Sequence, residues 1–518
     1  MTLTRHQPTC CTRARARIGL RVAAAAVGVA VQPMEAQEAR ASAAAIARAV
    51  DSLAARVVAD GVSPAFGVAV VMDGNAIFTK SYGWADASAR IPATDRTLWY
   101  IASTSKSFTG FGVSLLAQQG ALDFQTSIAS LLPGVRWADG VDPERLTLAR
   151  FLSHTHYLND NAVVQSAAFT GAIPEARWPQ LIRYAVPTGT NDLVYSNFGY
   201  NIAAMAVDRL RPEGWRRFLD SAVYTPAGLR ETYTRLSGLD LRRIAKPHRL
   251  DSAGGFTTLE FEKRDATMNS AGGHVSTLRD LARWMIIQMD SGRIDGRQVF
   301  SPEAVALSHR LIARHTVEAS KRFGPFDREG WAAGWDIGSY RGEPMVSRFG
   351  GYSSIRSHLS MLPGRRIGVV AQANGPGAGG ATDIVAALAY DLEAGRPNAE
   401  DSAHARLGAL VARLPAARAR QAASDSLRRS RQQPLRHRVA DFAGSYFNEA
   451  FGTIAFSARG NALSYRWGVL DGPVEVFDAA KDQLRFEIAG SESVATFAFP
   501  AAGAAASVDI GGTTFARR

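Results

Sequence analysis

Residues 103–119 read STSKSFTGFGVSLLAQQ. Phe108, Phe111, Val113 and the Leu115–Leu116 pair recur at helical spacing, and Gly120 stops the run. The segment therefore reads as a helix that opens on Ser103. Ser103 and Lys106 then stand at i and i+3 on one face, so the amine can reach the hydroxyl. A free serine is a poor nucleophile until an adjacent base takes its proton. A buried lysine can do so, because desolvation and nearby positive charge lower its pKa, whereas arginine stays protonated. Of 59 basic residues only six are lysines, which makes this one informative. Taken alone, the pair also fits a helix N-cap followed by a solvated charge.

Two further segments carry compatible chemistry. In residues 191–200, NDLVYSNFGY, the Tyr195 phenol could share the serine proton and pass it to a leaving group. Asn197 could hold Lys106 and donate to a substrate carbonyl. In residues 347–354, SRFGGYSS, paired glycines let backbone N–H groups approach a ligand closely. The N–H groups of Gly351 and Ser103 could together form an oxyanion hole, with Gly350 beside them. Each segment alone also fits ordinary packing: a core aromatic with a turn asparagine, or a strand bend.

In this order and at this spacing the three segments resemble the serine β-lactamase and penicillin-binding protein superfamily, in its class C β-lactamase-like branch. The resemblance covers about residues 45–395. It extends to the hairpin DGNAIFTKSYGWAD, to Leu152-Ser153-His154-Thr155, to Ala271-Gly272-Gly273 with Val275-Ser276-Thr277, and to Gly334-Trp335. It implies an α/β (α+β) fold: a β-lactamase-like antiparallel sheet flanked by helices plus a helical lobe, with the site between the lobes. It also implies Ser103 as acylated nucleophile, Lys106 as its base partner, Tyr195 as proton shuttle and Asn197 as substrate-orienting residue. Position 348 departs from the pattern, which has Lys or His followed by Thr or Ser and Gly. Here it is Arg348-Phe349-Gly350. Arg348 could still pair with a substrate carboxylate, bidentately, but it exchanges no proton at neutral pH. Phe349 removes the hydroxyl that often contacts that carboxylate.

The remaining elements follow from periodicity and turn chemistry. Residues 66–83 read as a hairpin about Asp73-Gly74-Asn75. Segments 147–153, 179–185, 197–210, 277–291 and 381–394 read as helices. Residues 345–374 read as strands with a turn at Pro363-Gly364. Residues 42–400 form the hydrolase domain on this reading. Residues 401–436, rich in Ala, Arg, Ser and Gln, read as a surface helix followed by a linker. From 437 to 518, short β-runs with Gly turns indicate a separate small β-barrel-like domain, similar to the lipocalin-like module that follows many such hydrolases.

Residues 1–41 read as an export signal. Arginines at 5, 13, 15, 17 and 21 precede or open the short apolar stretch Val22–Val31, and Ala36 or Ala41 fits small-residue cleavage. Cys10 and Cys11 are the only cysteines and precede that stretch, which argues against lipid anchoring and leaves a mature chain without disulfides. A periplasmic or extracellular bacterial location is expected. The formal net charge of +12 is spread over arginines scattered among acids, with no basic stripe interleaved with aromatics. Nucleic acid is therefore not an expected partner, and neither is a membrane after signal removal; a small-molecule or peptide substrate is, cell-wall-derived ones among them.

His154 and His156, at i and i+2, lack a third ligand at metal-site spacing, so no metal and no cofactor is expected. His154 reads as a turn residue, His156 as one that could reach the cleft, and His358, close to Arg356, as structural or cleft-rim. No Gly-x-Ser-x-Gly elbow is present. The expected function is amide or ester hydrolysis through a Ser103 acyl-enzyme, on small acyl or D-amino-acid peptide substrates. Alternatives are a β-lactamase proper, a D-Ala-D-Ala carboxypeptidase, or a non-catalytic cell-wall-binding protein of the same fold.

Overall fold

The computed structural model describes residues 40–189, 195–316, 325–431 and 434–518. The export signal expected over residues 1–41, with Cys10 and Cys11, lies outside the described residues save for its last two. Nine antiparallel strands form the main sheet. Their order is Ala313–Arg314, Phe326–Trp331, Asp336–Tyr340, Glu343–Tyr352, Ile355–Leu362, Ile367–Ala373, Ala65–Met72, Asn75–Asp86 and Ile91–Pro92. The expected hairpin joins Ala65–Met72 to Asn75–Asp86. Asp73 and Gly74 both take positive φ, as a tight turn matched to strand twist requires.

Alternation along Ala65–Met72 divides the core between two faces of the sheet. Phe66, Val68 and Val70 face helices Ala43–Ala59 and Gly379–Glu393. The first of these buries Ile46, Val50, Leu53 and Val57, and Ser42 caps it by accepting from the Ala45 N–H. Ala69 and Val71 face the opposite cluster, which holds helices Lys106–Gln118, Phe198–Leu210 and Leu278–Met289. There Trp284 stacks on Phe108 at 4.7 Å and donates its indole N–H to Ser107 Oγ at 3.2 Å. Among the described residues, no helix is long and apolar enough to cross a membrane.

Two local readings change. The helix expected to open on Ser103 begins at Lys106, and Ser103 lies in a 3-10 turn over Ala102–Ser105. Ala102 takes φ 44, a left-handed conformation unusual outside glycine, and that kink tightens the first turn. The stretch read as one surface helix and a linker contains two helices, Ala399–Val411 and Leu414–Ser430, with Pro415 in the first turn of the second.

Eight strands between Gly444 and Arg517 close into a barrel around Phe442, Tyr446, Phe456, Trp467, Phe486 and Phe515. The barrel is seated on the larger domain by backbone N–H donors from its loops. Val469 N–H donates to Thr170 O at 2.7 Å and Ala489 N–H donates to Glu262 at 2.7 Å. Arg183 and Glu449 add an ion pair across the same junction. Gly468 takes φ 61, and a Cβ there would lie 2.0 Å from Thr170 O. Gly468→Ala is therefore expected to cost at least about 1 kcal/mol through strain alone. Its thermal transition should fall by several degrees; an unchanged transition would show that this contact does not hold the barrel.

Candidate active site

From Thr97 to Leu116 every residue is buried except Ser103. The fold thus presents one hydroxyl from an otherwise enclosed segment. The 3-10 turn eclipses positions i and i+3 and brings Lys106 Nζ to 3.3 Å from Ser103 Oγ. Lys106 is 0% exposed. Its ammonium also donates to Asn197 Oδ1 at 2.7 Å and to Ala271 O at 2.6 Å. With Oδ1 turned to Lys106, the Asn197 amide nitrogen is the end left for another partner.

Tyr195 completes the group. Its hydroxyl donates to Ser103 Oγ at 2.6 Å. The residue is 45% exposed, yet its hydroxyl points inward between Lys106 and Arg348. Burial lowers Lys106 to about 8, with the Arg348 charge acting in the same direction. Burial of the Tyr195 hydroxyl raises that phenol, but the Lys106 and Arg348 charges outweigh it and bring it down to about 8. The two groups therefore form a coupled pair that holds protons at neutral pH and releases one in mild alkali.

Arg348 does not stand as an open carboxylate receptor. It is 1% exposed. Its Nε donates to Ser103 O at 3.1 Å, one terminal nitrogen to Tyr195 OH at 3.1 Å, and the other faces Asp336 at 3.4 Å. The bidentate carboxylate clamp expected from sequence gives way to an internal strut, because Asp336 sits one register position from Arg348 on the neighbouring strand. Phe349 points to the opposite face, where its ring meets His358 at 4.8 Å and Arg328 at 4.1 Å.

The glycines divide their duties. A Cβ at Gly350 would lie 2.2 Å from Ile101 O and 3.1 Å from Ser103 N, so only glycine lets the strand pass this close. Gly350 is buried, and Gly351, the next residue, is exposed beyond the point where the Asp336–Tyr340 strand stops pairing. Ser103 N–H lies in the first turn of its helix, where main-chain donors lack helical acceptors.

The histidines are placed differently from one another. His154, at φ 58, accepts the Ser196 N–H at 3.2 Å and lies 4.6 Å from the Tyr195 ring, so it backs the phenol. Burial, followed by the Arg348 and Lys106 charges, holds its pKa well below the usual histidine value. His156 does not reach the cleft: it is buried, stacks on Phe151 at 5.0 Å and accepts the Leu158 N–H. His358 lies in the core, 2.7 Å from both Asp383 and Ser360. That Ser360–His358–Asp383 arrangement has the spacing of a catalytic triad, but Ser360 is 0% exposed and also bonds Tyr390 at 2.7 Å. It is a core network without access for a substrate. Among the described residues, no group of three or more His, Cys, Asp or Glu is placed to hold a metal ion.

Sequence reasoning missed Trp331, Asp336 and Tyr200. Trp331 lies 5.2 Å from the Arg348 guanidinium, and Tyr200 lies 5.4 Å from Lys106 Nζ. Only the contacts after folding mark them, although Asp336 directly follows the Gly334-Trp335 pair.

The sheet with its flanking helices, the turn that bears Ser103, the buried Lys106 and the glycine strand fit one class, that of serine β-lactamases and penicillin-binding proteins. A family model described as Beta-lactamase matches residues 50–392, most of the chain, and the chain belongs to that family. It is 26% identical over 314 residues to penicillin-binding protein 4 of Amycolatopsis lactamdurans, covering 60% of this chain and 79% of that protein. It is 26% identical to penicillin-binding protein 4* of Bacillus subtilis, but over only 33% of this chain and 38% of that protein's length. Among solved structures, the octameric penicillin-binding protein homologue from Pyrococcus abyssi aligns with a TM-score of 0.57 at 18% identity, covering 89% of this chain and 97% of that one. D-amino acid amidase from Ochrobactrum anthropi SV3 aligns at 0.55 and 18% identity, covering 67% and 97%.

The proton sharing at this site has a direct kinetic sign. Below about pH 8 both Lys106 and Tyr195 are protonated, and loss of one proton creates the base. Labelling of Ser103 by a fluorophosphonate should therefore speed up as pH rises through about 8. Lys106→Arg should abolish labelling at every pH, since arginine cannot release the proton. A flat pH profile, or fast labelling of Lys106→Arg, would contradict the arrangement.

Proposed function

We propose that the protein is an exported serine hydrolase that cleaves small amide or ester substrates, D-amino-acid peptides among them, through an acyl-enzyme on Ser103. The observation that carries this reading is the closed set of contacts among Ser103, Lys106, Tyr195 and Asn197 at the one solvent-reaching position of a buried turn. On this reading Ser103 Oγ attacks the substrate carbonyl and its proton passes to the Lys106–Tyr195 pair. The tetrahedral oxyanion lies between the N–H groups of Ser103 and Gly351. The Asn197 amide orients the substrate. Tyr195 then returns the proton to the departing amine or alcohol. Water attacks the ester carbonyl in the second half-reaction and releases the acid, with the same pair receiving the water proton and restoring Ser103.

Amide or ester cleavage is favoured over penicillin hydrolysis by position 348. Arg348 is committed to Asp336, Tyr195 and Ser103 O, and Phe349 is turned away, so the third motif offers no open lysine and no hydroxyl. The likeness to the amidase fold is in keeping with this preference, and the family's penicillin-binding members with an exported, cell-wall-facing role.

A panel of p-nitrophenyl esters, D-amino-acid amides and penicillins, followed by intact-protein mass measurement, tests the reading. Esters and D-amides should turn over and leave a transient acyl mass on the peptide bearing Ser103. Ser103→Ala should lose turnover by at least about a thousandfold. Full turnover in Ser103→Ala, or an acyl mass on another peptide, would remove Ser103 from the mechanism. Tight binding of a wall fragment with no turnover at all would favour a binding role.

A further inference from the structure

Gly350 and Gly351 carry no side chain, so the direction of the Gly351 N–H depends on what anchors the chain on either side of them. On one side Arg348 is tied to Ser103 O and Asp336. On the other side stands Tyr352. Alternation along the strand puts Tyr352 on the same face of the sheet as Gly350, the face that meets Ser103 N. Its ring accordingly meets Tyr100, on the segment that leads into Ser103, edge-on at 5.3 Å.

Two further groups hold Tyr352. Lys263, 2% exposed, places its Nζ 4.1 Å from the centre of the ring. The Tyr352 hydroxyl faces Glu262 Oε2 at 3.4 Å. The same carboxylate oxygen accepts the Ala489 N–H of the barrel at 2.7 Å. Burial pushes the Glu262 carboxyl up, and the Ala489 and Tyr352 bonds act against it by favouring the charged form.

The barrel side of this contact is well defined. Ala489 and Gly490 are the two-residue turn between strands Gln483–Ile488 and Ser491–Ala498, and both take positive φ, 54 and 74. Such a turn is matched to the twist of its strands, so it presents the Ala489 N–H in a fixed direction. It also meets the catalytic strand's end directly. A Cβ on Gly490 would lie 3.1 Å from Ser353 Oγ and 3.1 Å from the Leu259 side chain. The barrel therefore touches the residue after Tyr352 and, through Glu262, Tyr352 itself.

We propose that Glu262 is a positioning residue that couples the barrel to the oxyanion strand. It takes one bond from the Ala489 turn and one from Tyr352, so the seated barrel helps to aim the Gly351 N–H. The barrel then contributes to acyl transfer without touching the substrate. This inference rests on the Ser103 acyl-enzyme reading and goes beyond it by giving the barrel a part in the chemistry.

Saturation kinetics of Ser103 labelling by an alkyl fluorophosphonate test it on the full chain, with the thermal transition measured on the same samples. A misaimed oxyanion donor weakens the transition state and not the encounter complex. Glu262→Ala should therefore lower the limiting labelling rate about tenfold while the half-saturating concentration stays unchanged. Glu262→Gln keeps an oxygen that accepts both bonds and should stay within about twofold of wild type. Tyr352→Phe, which removes one hydroxyl, should slow labelling about threefold or more, and the double variant Glu262→Ala with Tyr352→Phe should be no slower than Glu262→Ala alone. A merely structural role would lower the thermal transition and leave the limiting rate of the folded protein as it is. Where Glu262→Ala does not fold, Tyr352→Phe against Glu262→Gln decides. Wild type labelled at Ser103 with unchanged limiting rates in the variants, or a double variant slowed by the product of the two single effects, overturns the Glu262 assignment alone. Wild type not labelled at Ser103 overturns the acyl-enzyme reading and this inference with it.

Discussion

The burial of the Lys106 ammonium is the constraint on which the site depends. An isolated charge in such a position would be too costly to keep, so the surroundings must either compensate it or remove its proton. This structure does both in part. Asn197 Oδ1 and Ala271 O accept from the ammonium, while burial and the Arg348 charge ease its deprotonation. The residue sits between being a structural cation and being a base. Every other feature at the site can be understood as holding it there: the 3-10 turn that aligns Ser103, the Tyr195 phenol that shares its proton, and the aromatic rings of Tyr195 and Tyr200 that stand by its charge.

A permanent charge at position 348 then sets the balance. A lysine or histidine there could trade protons with the phenol, whereas an arginine can only donate hydrogen bonds and impose its field. Asp336 prevents that field from being an uncompensated buried charge, and the pair is enclosed to within a few per cent of exposure. Removing either partner alone would leave the other buried and unpaired, at a cost of about 3–5 kcal/mol. The arginine therefore places a charge beside Tyr195 and braces the sheet at once.

Some of this was legible in the residues and some was not. Ser103 and Lys106 are local partners, so spacing alone brings them together. Tyr195 and Asn197 are about ninety positions away, and only the order of motifs shared with a known family connected them. The hairpin about Asp73-Gly74 and the strands from 345 to 374 were readable because alternation and turn chemistry agree. The 3-10 turn was not, since it follows from the positive φ of Ala102, which the surrounding packing imposes. The inward pairing of Arg348 depends on the register that sets Asp336 beside Ser347, which cannot be seen before the sheet is assembled. The barrel shows the same limit: short strands were evident, but not the bonds from the Val469 and Ala489 N–H groups that seat it.

The shared proton can be observed without any substrate. An ultraviolet titration of tyrosinate, taken as the difference between wild type and Tyr195→Phe, isolates the phenol at the centre of the account. A single tyrosine titrating near 8, well below the ordinary value of 10.0, is the predicted result. A difference titration centred at or above 10.0 would show that Lys106 and Arg348 do not act on Tyr195 as described, and would contradict the proposed proton network.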